Sequence, residues 1–350
     1  DEIATRGILR VLVTHSKTDF FIDHGQIRGV QAEYVQEFLK KLNQSRTNRF
    51  HASESNRIIP QFVPVAFDEL IPSLLAGKGD IAAAFLTMTP ERDADVDFIS
   101  PQGRFVDEIL VAHKDAEPIK SLADLAGRTV YVLKGSSYAS HLLELNEQLE
   151  IVELPPVNMI NTDTQLLTED ILELVNAGIV DYTVCDDFKA NLWAKALPDI
   201  RVYRDIRVSS DQSVGWVIRP NSPQLKAALD TFSKNVKKGS FLGNLLFNKY
   251  YASTQWIDNP LAQIERDKFR QIIHLFLRFG EQYQFDPLAL AAQGYQESRF
   301  DQSLTSHRGA VGVMQLMPST AKDPNVGIPN IQDIENNIHA GAKYMDFLRN

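Results

Sequence analysis

The sequence holds a single cysteine, Cys185, among 350 residues. One thiol excludes an internal disulfide and any zinc site built on paired cysteines. Long apolar runs are also missing, for no stretch approaches the roughly 18 consecutive apolar residues of a membrane-spanning helix. Basic charge is in deficit, with 36 Lys and Arg against 45 Asp and Glu and a formal net charge of −9. A phosphate backbone rewards a basic face, so nucleic acid is not an expected partner. Neither an internal repeat nor a low-complexity segment stands out. The numbering opens on Asp1 without a basic-then-apolar leader, so any signal peptide or anchor is expected to be absent from it already.

What is present suits a globular chain with more than one core: 350 residues, 44% hydrophobic and 23% charged. The charge is uneven, −8 before Gln263 and −1 from there on. A near-neutral second part fits an uncharged polymer better than a polyanion.

Strand and helix signals alternate over the first 250 residues. β-rich runs at 8–14, 59–65, 81–85, 129–133 and 180–185 are separated by helical patterns at 30–42, 67–76, 168–177 and 223–239. Gly77 stops one helix, and Ser222-Pro223 opens another with a cap and a proline at the first helical position. This rhythm predicts α/β architecture with mostly parallel sheets, in two lobes. Residues 252–260 have no clear period and read as a linker. Beyond them β-branched runs disappear, and amphipathic helices are predicted at 264–279, 287–296 and 337–348. The second domain is therefore expected to be all-α.

Its richest stretch begins with Gln296-Glu297-Ser298-Arg299-Phe300 and continues from Ser306 through Gly309, Ala310, Gly312, Met314, Gln315 and Met317 to Pro318. Glu297 ends an apolar helix whose C-terminus carries partial negative charge, which disfavours a carboxylate and predicts a raised pKa. A carboxylic acid that keeps its proton can protonate the leaving oxygen of a glycosidic bond. The turn from Gly309 to Gly312 would let backbone approach a bulky ligand. Gln315 can bond sugar hydroxyls or amides, and Met314 and Met317 offer adaptable apolar surface. The plainer alternative is a solvated helix-end glutamate beside a tight turn.

This stretch resembles the lysozyme-like lytic transglycosylases that cut bacterial peptidoglycan, and Asn337-Ile338 with Gly341, Tyr344 and Met345 resembles their next motif. The resemblance implies Glu297 as catalytic acid and then base. It gives Ser306 the orienting of Glu297 or of the substrate's N-acetyl group, and makes Met314, Gln315, Met317 and Tyr344 glycan contacts. With one carboxylate, the sugar's 2-acetamido group and 6-hydroxyl would act as internal nucleophiles and leave a 1,6-anhydromuramoyl end. Asp301 is assigned to capping the loop; a hydrolytic reaction with Asp301 or another carboxylate activating water is the competing chemistry. The Ala-Tyr-Asn stretch that the family carries further along is not reached by Asn350, so the module is expected to be C-terminally incomplete.

The first part resembles the family 3 solute-binding proteins for polar amino acids. The residues that carry this are Gly77 to Ile81, Thr87 to Arg92, Val96 to Pro101, Lys134 to Ser137, and Val180 to Asp186. The resemblance implies Arg92 as a fork for an α-carboxylate, helped by Thr87 and Thr89. Asp186 would accept an α-ammonium, and the turn from Lys134 through Ser136 would add N–H groups. Phe20 or Phe21 is a candidate aromatic wall. Phe85 stands where a small residue is usual, and Cys185 where a polar one is.

Both resemblances in this order are those of the membrane-bound lytic murein transglycosylase F type. The expected organisation is a two-lobed periplasmic-binding-protein-like sensor at 1–252 (lobe 1 about 1–103 and 208–252, lobe 2 about 104–207). A linker at 253–262 and a lysozyme-like module at 263–350 would follow. The family implies the periplasm of a Gram-negative bacterium and attachment to the inner face of the outer membrane. It implies peptidoglycan as substrate, an amino acid or cell-wall peptide in the sensor cleft regulating cleavage, and no cofactor or metal. The alternative is a periplasmic amino-acid- or peptide-binding protein with an inactive lysozyme-like tail.

Overall fold

The computed structural model describes residues 2–23, 25–50, 57–101, 104–257 and 260–349. The chain divides into two compact units, Asp1–Ile257 and Asp258–Asn350.

Among its described residues the first unit carries eleven strands: β1 (Ile8–Val13), β2 (Phe21–Asp23), β3 (Gln26–Arg28), β4 (Ile59–Pro64), β5 (Ile81–Thr87), β6 (Asp97–Ile99), β7 (Phe105–His113), β8 (Thr129–Val132), β9 (Asn158–Asn161), β10 (Tyr182–Asp186) and β11 (Ile200–Ile218). Apart from the β2–β3 hairpin and β6, which pairs with β11, they run in the order β4-β1-β5-β11-β7-β10-β8-β9. One half is parallel about β1, which pairs with β4 and β5, and the other is parallel about β8, which pairs with β9 and β10. The middle departs from the parallel expectation, because β11 is antiparallel to β5, β6 and β7, and β10 is antiparallel to β7. The chain leaves the first half through β7 and returns through β11, so the crossing strands must run opposite ways.

The apolar runs become buried strands and helix faces as their periodicity requires. Val11, Val13, Val35, Phe38, Ile81, Val130 and Leu142 all lie in the core. Helix boundaries follow local chemistry closely. Thr89 caps the Pro90–Asp95 helix by accepting from the Arg92 N–H, and Pro223 opens a helix that ends at Ser233, short of the expected 239. The 67–76 pattern divides into a 3₁₀ turn, Phe67–Glu69, and the Leu70–Leu75 helix. Another helix, Phe241–Tyr251, buries Tyr250 and Tyr251. Part of the expected linker belongs to this unit. Trp256 and Ile257 pack on its core, and the Trp256 indole donates to the Lys249 carbonyl at 3.2 Å.

The second unit is helical, with Pro260–Tyr283, Pro287–Ser298, Pro318–Lys322 and Ile334–Arg349. Asp286 starts the second of these by accepting from the Leu288 and Ala289 N–H groups at 2.7 and 3.1 Å. Phe276, Phe279, Leu290, Val313, Met314 and Ile338 form its core. Each such side chain contributes roughly 1.5–3 kcal/mol by leaving water. The long loop between the second and third helices is pinned by isolated bridges from Val311 to Thr305 and Leu316.

Candidate functional site

In the second unit, Glu297 lies in the last turn of the Pro287–Ser298 helix, where Arg299 takes a left-handed conformation (φ 52°) and ends it. The side chain is exposed, and its Oε1 accepts from the Gln293 amide at 2.8 Å. The apolar surroundings expected for this carboxylate are therefore not there; the helix turns it toward solvent. The next residue, Ser298, is buried and donates to the Val313 carbonyl at 2.9 Å, so the end of the helix is tied to the glycine-rich loop. Phe300 (φ 61°) and Gln315 (φ 44°) are also left-handed. Three non-glycine residues in this sparsely allowed region within one short loop system are a local store of strain, as functional sites often hold.

The loop is organised by two carboxamides. Asn337, 0% exposed, accepts from the Met314 N–H at 2.8 Å and donates to the carbonyls of Val311 (2.8 Å) and Ile331 (3.1 Å). Gln302 accepts from the Val313 N–H at 3.1 Å and donates to the carbonyls of Ile331 and Gln332. Gly312 lies between them: a Cβ there would stand 2.6 Å from both amide groups. This glycine serves internal packing, and the expected close approach of a ligand is not what requires it.

Several expected glycan contacts change role. Met314 is only 7% exposed, held in the core where Gly294 and Gly341 leave room for it, so it is not groove surface. The Gln315 amide nitrogen is turned inward to the Leu304 and Gly312 carbonyls, at 3.2 and 2.8 Å. The Ser306 hydroxyl accepts from the Ala310 N–H at 3.0 Å and so shapes the turn. Met317, 37% exposed, does present surface. Tyr344 is half-buried against the Val311 and Leu316 cluster and borders a hollow of about 340 Å³ with Ser319, Thr320, Asp323, Val326 and Phe347. Asp301 accepts from the Ser303 N–H and hydroxyl at 2.9 and 2.6 Å, and these bonds hold its pKa below the usual carboxylate range.

In the first unit, Arg92 joins the two halves. Its guanidinium donates to the Thr87 carbonyl at 2.7 Å and to the Gly135 carbonyl at 2.8 Å. Burial lowers its pKa, which Glu108 and other acids partly restore. The Thr89 hydroxyl serves the helix cap, and Ser136 donates to the Leu133 carbonyl at 2.6 Å. Lys134 pairs with Asp68 at 3.1 Å. Asp186 ends β10 at 2% exposure, with its Oδ1 lacking any partner. Burial pushes its pKa up to about 7 against the pull of Lys189, and Glu108 adds to the rise. Phe20 packs on Phe62, and Phe21 packs on Tyr250 and Trp256. The aromatic wall between the halves is instead Phe85, Phe188, Phe247 and Tyr251, with ring centroids 4.7–6.3 Å apart.

A second layer lies here that no local sequence pattern marks. Asp19 accepts from the Tyr251 hydroxyl at 2.7 Å and from Gln31 at 3.4 Å, and pairs with Lys189 at 3.5 Å. Glu108, fully buried, accepts from the Ser137 hydroxyl and bonds the His141 Nδ1, both at 2.6 Å. Lys189 sits three residues past Asp186, but nothing in the local pattern names Asp19 as its partner.

Residues 9–253 match the model of the bacterial extracellular solute-binding proteins, family 3. The chain belongs to that family. Its solute-binding part is followed by a match to the transglycosylase SLT domain at residues 274–350. A curated relative, the membrane-bound lytic murein transglycosylase F of Desulfosudis oleivorans, is 33% identical over 292 residues, covering 81% of this chain and 61% of its own length. That of Ectopseudomonas mendocina is 27% identical over 350 residues, covering 98% of this chain and 67% of its own length. The chain thus spans about three-fifths to two-thirds of the curated relatives it matches. Among solved structures, an ancestral arginine-binding protein bound to arginine is 25% identical with a TM-score of 0.56, covering 70% of this chain and 99% of that one. An ancestral amino acid-binding protein, a precursor of cyclohexadienyl dehydratase, is 27% identical with a TM-score of 0.57, covering 72% and 98%. The first unit of this solute-binding family member thus has the periplasmic-binding-protein-like α/β fold, joined to a lysozyme-like SLT domain. No helix among the described residues is long and apolar enough to cross a membrane.

Proposed function

We propose that the second unit cleaves the β-1,4 bond between N-acetylmuramic acid and N-acetylglucosamine in peptidoglycan, as a lytic transglycosylase. One observation carries the choice of chemistry. Glu297 is presented on a rigid helix end, while Asp301, the nearest carboxylate in sequence, is engaged by Ser303. A glycosidase that activates water needs a second carboxylate across the bond. With Glu297 alone, the acid protonates the leaving oxygen, the 2-acetamido group supports the anomeric carbon, and the carboxylate then takes the proton of the 6-hydroxyl. The C1–O bond breaks, the C1–O6 bond forms, and no water is added. Ser298 and the Asn337–Gln302 pair hold the acid against the loop, and Met317 and Tyr344 offer surface to the glycan.

We further propose that the halves of the first unit are lobes that close on an amino acid or a cell-wall peptide, with Arg92 for a carboxylate and Asp186 for an ammonium, and that closure regulates cleavage. Support comes from the family and from solved relatives whose names state arginine and amino-acid binding. We also propose a periplasmic place at the inner face of the outer membrane; two relatives are named membrane-bound lytic murein transglycosylases, which supports attachment to a membrane. The test is digestion of murein by the full-length protein, with products read by mass spectrometry. Anhydro-muropeptides are expected, and Glu297→Gln should lower their rate by about 10²–10⁴-fold. Reducing ends that carry oxygen from labelled water, or an unaffected Glu297→Gln variant, defeat the reading.

A further inference from the structure

Between the halves of the first unit, four buried or half-buried carboxylates face cations that the protein itself supplies. Asp19 pairs with Lys189 at 3.5 Å, and Asp68 pairs with Lys134 at 3.1 Å. Glu108 bonds His141 at 2.6 Å. Glu169 accepts from the Lys17 N–H at 3.3 Å and lies in the field of Lys189. Asp186 differs. Among the described residues no cation stands within ion-pair distance of it; its Oδ1 is buried without a partner, as is the Asp68 Oδ1 beside that residue's ion pair. A buried acceptor left in that state favours an incoming donor.

Lys189 shows how firmly the other acids are held. Burial alone would depress its pKa, but Asp19, Asp186 and Glu169 outweigh that and hold the ammonium above its ordinary range. The Tyr251 hydroxyl and Gln31 occupy the other oxygen of Asp19. A second positive charge brought in on a ligand would find both oxygens of Asp19 engaged and Asp68 paired with Lys134 through Oδ2, and would meet the ammonium groups of Lys189 and Lys134. The aromatic quartet of Phe85, Phe188, Phe247 and Tyr251 and the buried Arg104, stacked on Phe247 at 4.2 Å, add apolar and cationic surroundings.

We infer that Lys189 sets the specificity of this cleft: it neutralises Asp19 from within, so that the cleft takes ligands with one ammonium group and an uncharged side chain and rejects basic amino acids. This deepens the proposed amino-acid reading of the first unit and rests on it. Arginine, a ligand of one structural relative by that structure's name, is the discriminating probe.

The experiment is calorimetric titration of the full chain with L-leucine, L-glutamine and L-arginine. Leucine or glutamine should bind, with arginine weaker by about tenfold or more, the cost of an unmatched charge in a low-dielectric site. Lys189→Met frees the Asp19 carboxylate and should shift the ratio toward arginine by about tenfold. The paired variant Asp19→Asn with Lys189→Met removes both charges together, which avoids a buried uncompensated acid, and should keep the original preference. Arginine binding to the unaltered protein as tightly as glutamine overturns the inference. So does a ratio that Lys189→Met leaves unmoved while that variant stays folded. If none of the three ligands binds the unaltered protein, the amino-acid reading falls and the inference falls with it.

Discussion

Asp186 carries the clearest pH consequence of any single side chain. Its folded pKa of about 7 lies above the ordinary carboxylate range, because burial disfavours the charged form. A carboxyl raised in this way contributes stability that is full below the unfolded pKa and is lost as pH rises through the folded value. His141 acts with the same sign, since its bond to Glu108 raises its pKa. Thermal unfolding of residues 1–257 should therefore show a falling midpoint from pH 5 to 8, and Asp186→Asn should flatten that slope. A slope the variant leaves intact would assign the effect elsewhere. Single residues were legible in the sequence only in part. The type and spacing that mark Glu297 and Asp186 are local, but nothing local says that Met314 faces the core and Met317 faces solvent. Methionine suits either place, and the choice is made by Gly294 and Gly341 on two helices.

Among the elements, the loop from Phe300 to Met317 depends on the carboxamides closing on Gly312. Asn337→Ala leaves an N–H and two carbonyls short of their partner in a buried place, and should cost about 3 kcal/mol or more. Gly312→Ala forces a Cβ to within 2.6 Å of both amides in a left-handed conformation. It should cost about 1–3 kcal/mol through overpacking alone. Hydrogen exchange at the Met314 amide is the direct readout, and protection that survives either change would remove the clamp from the account. Helix starts were legible where the cap is a neighbour in sequence, as at Asp286-Pro287 and Ser222-Pro223. The clamp was not, because Gln302 and Asn337 approach Gly312 from either side of the loop and look, in sequence, like ordinary polar residues.

For the molecule as a whole, each unit has its own apolar core. Residues 1–257 are expected to unfold in urea in one cooperative transition when produced alone. Ending the chain at residue 240 should abolish that transition. It strips out Phe247, Tyr250 and Tyr251, each worth roughly 1.5–3 kcal/mol of burial, against a total stability of about 5–15 kcal/mol. A cooperative 1–240 fragment would show that the last helix is dispensable. The division into an α/β part and a helical part was legible from periodicity, which survives without any knowledge of contacts. The long crossing strand was not, since its polar middle alternates weakly and its partners β5 and β7 lie far back in the chain.

That strand, β11, is hydrogen-bonded to β7 over Ile200–Tyr203 and to β5 over Val214–Ile218, with its pairing to β7 interrupted between Tyr203 and Gln212. Its centre keeps only scattered pairs with β7, at Arg207 and Ser209, with a register shift on either side of each. Any twist of one half against the other must pass through both crossing strands, β7 and β11, where their pairing is least regular. A proline in that irregular stretch would fix one φ and remove one N–H there, and so would bear on the twist without replacing any residue proposed to meet ligand.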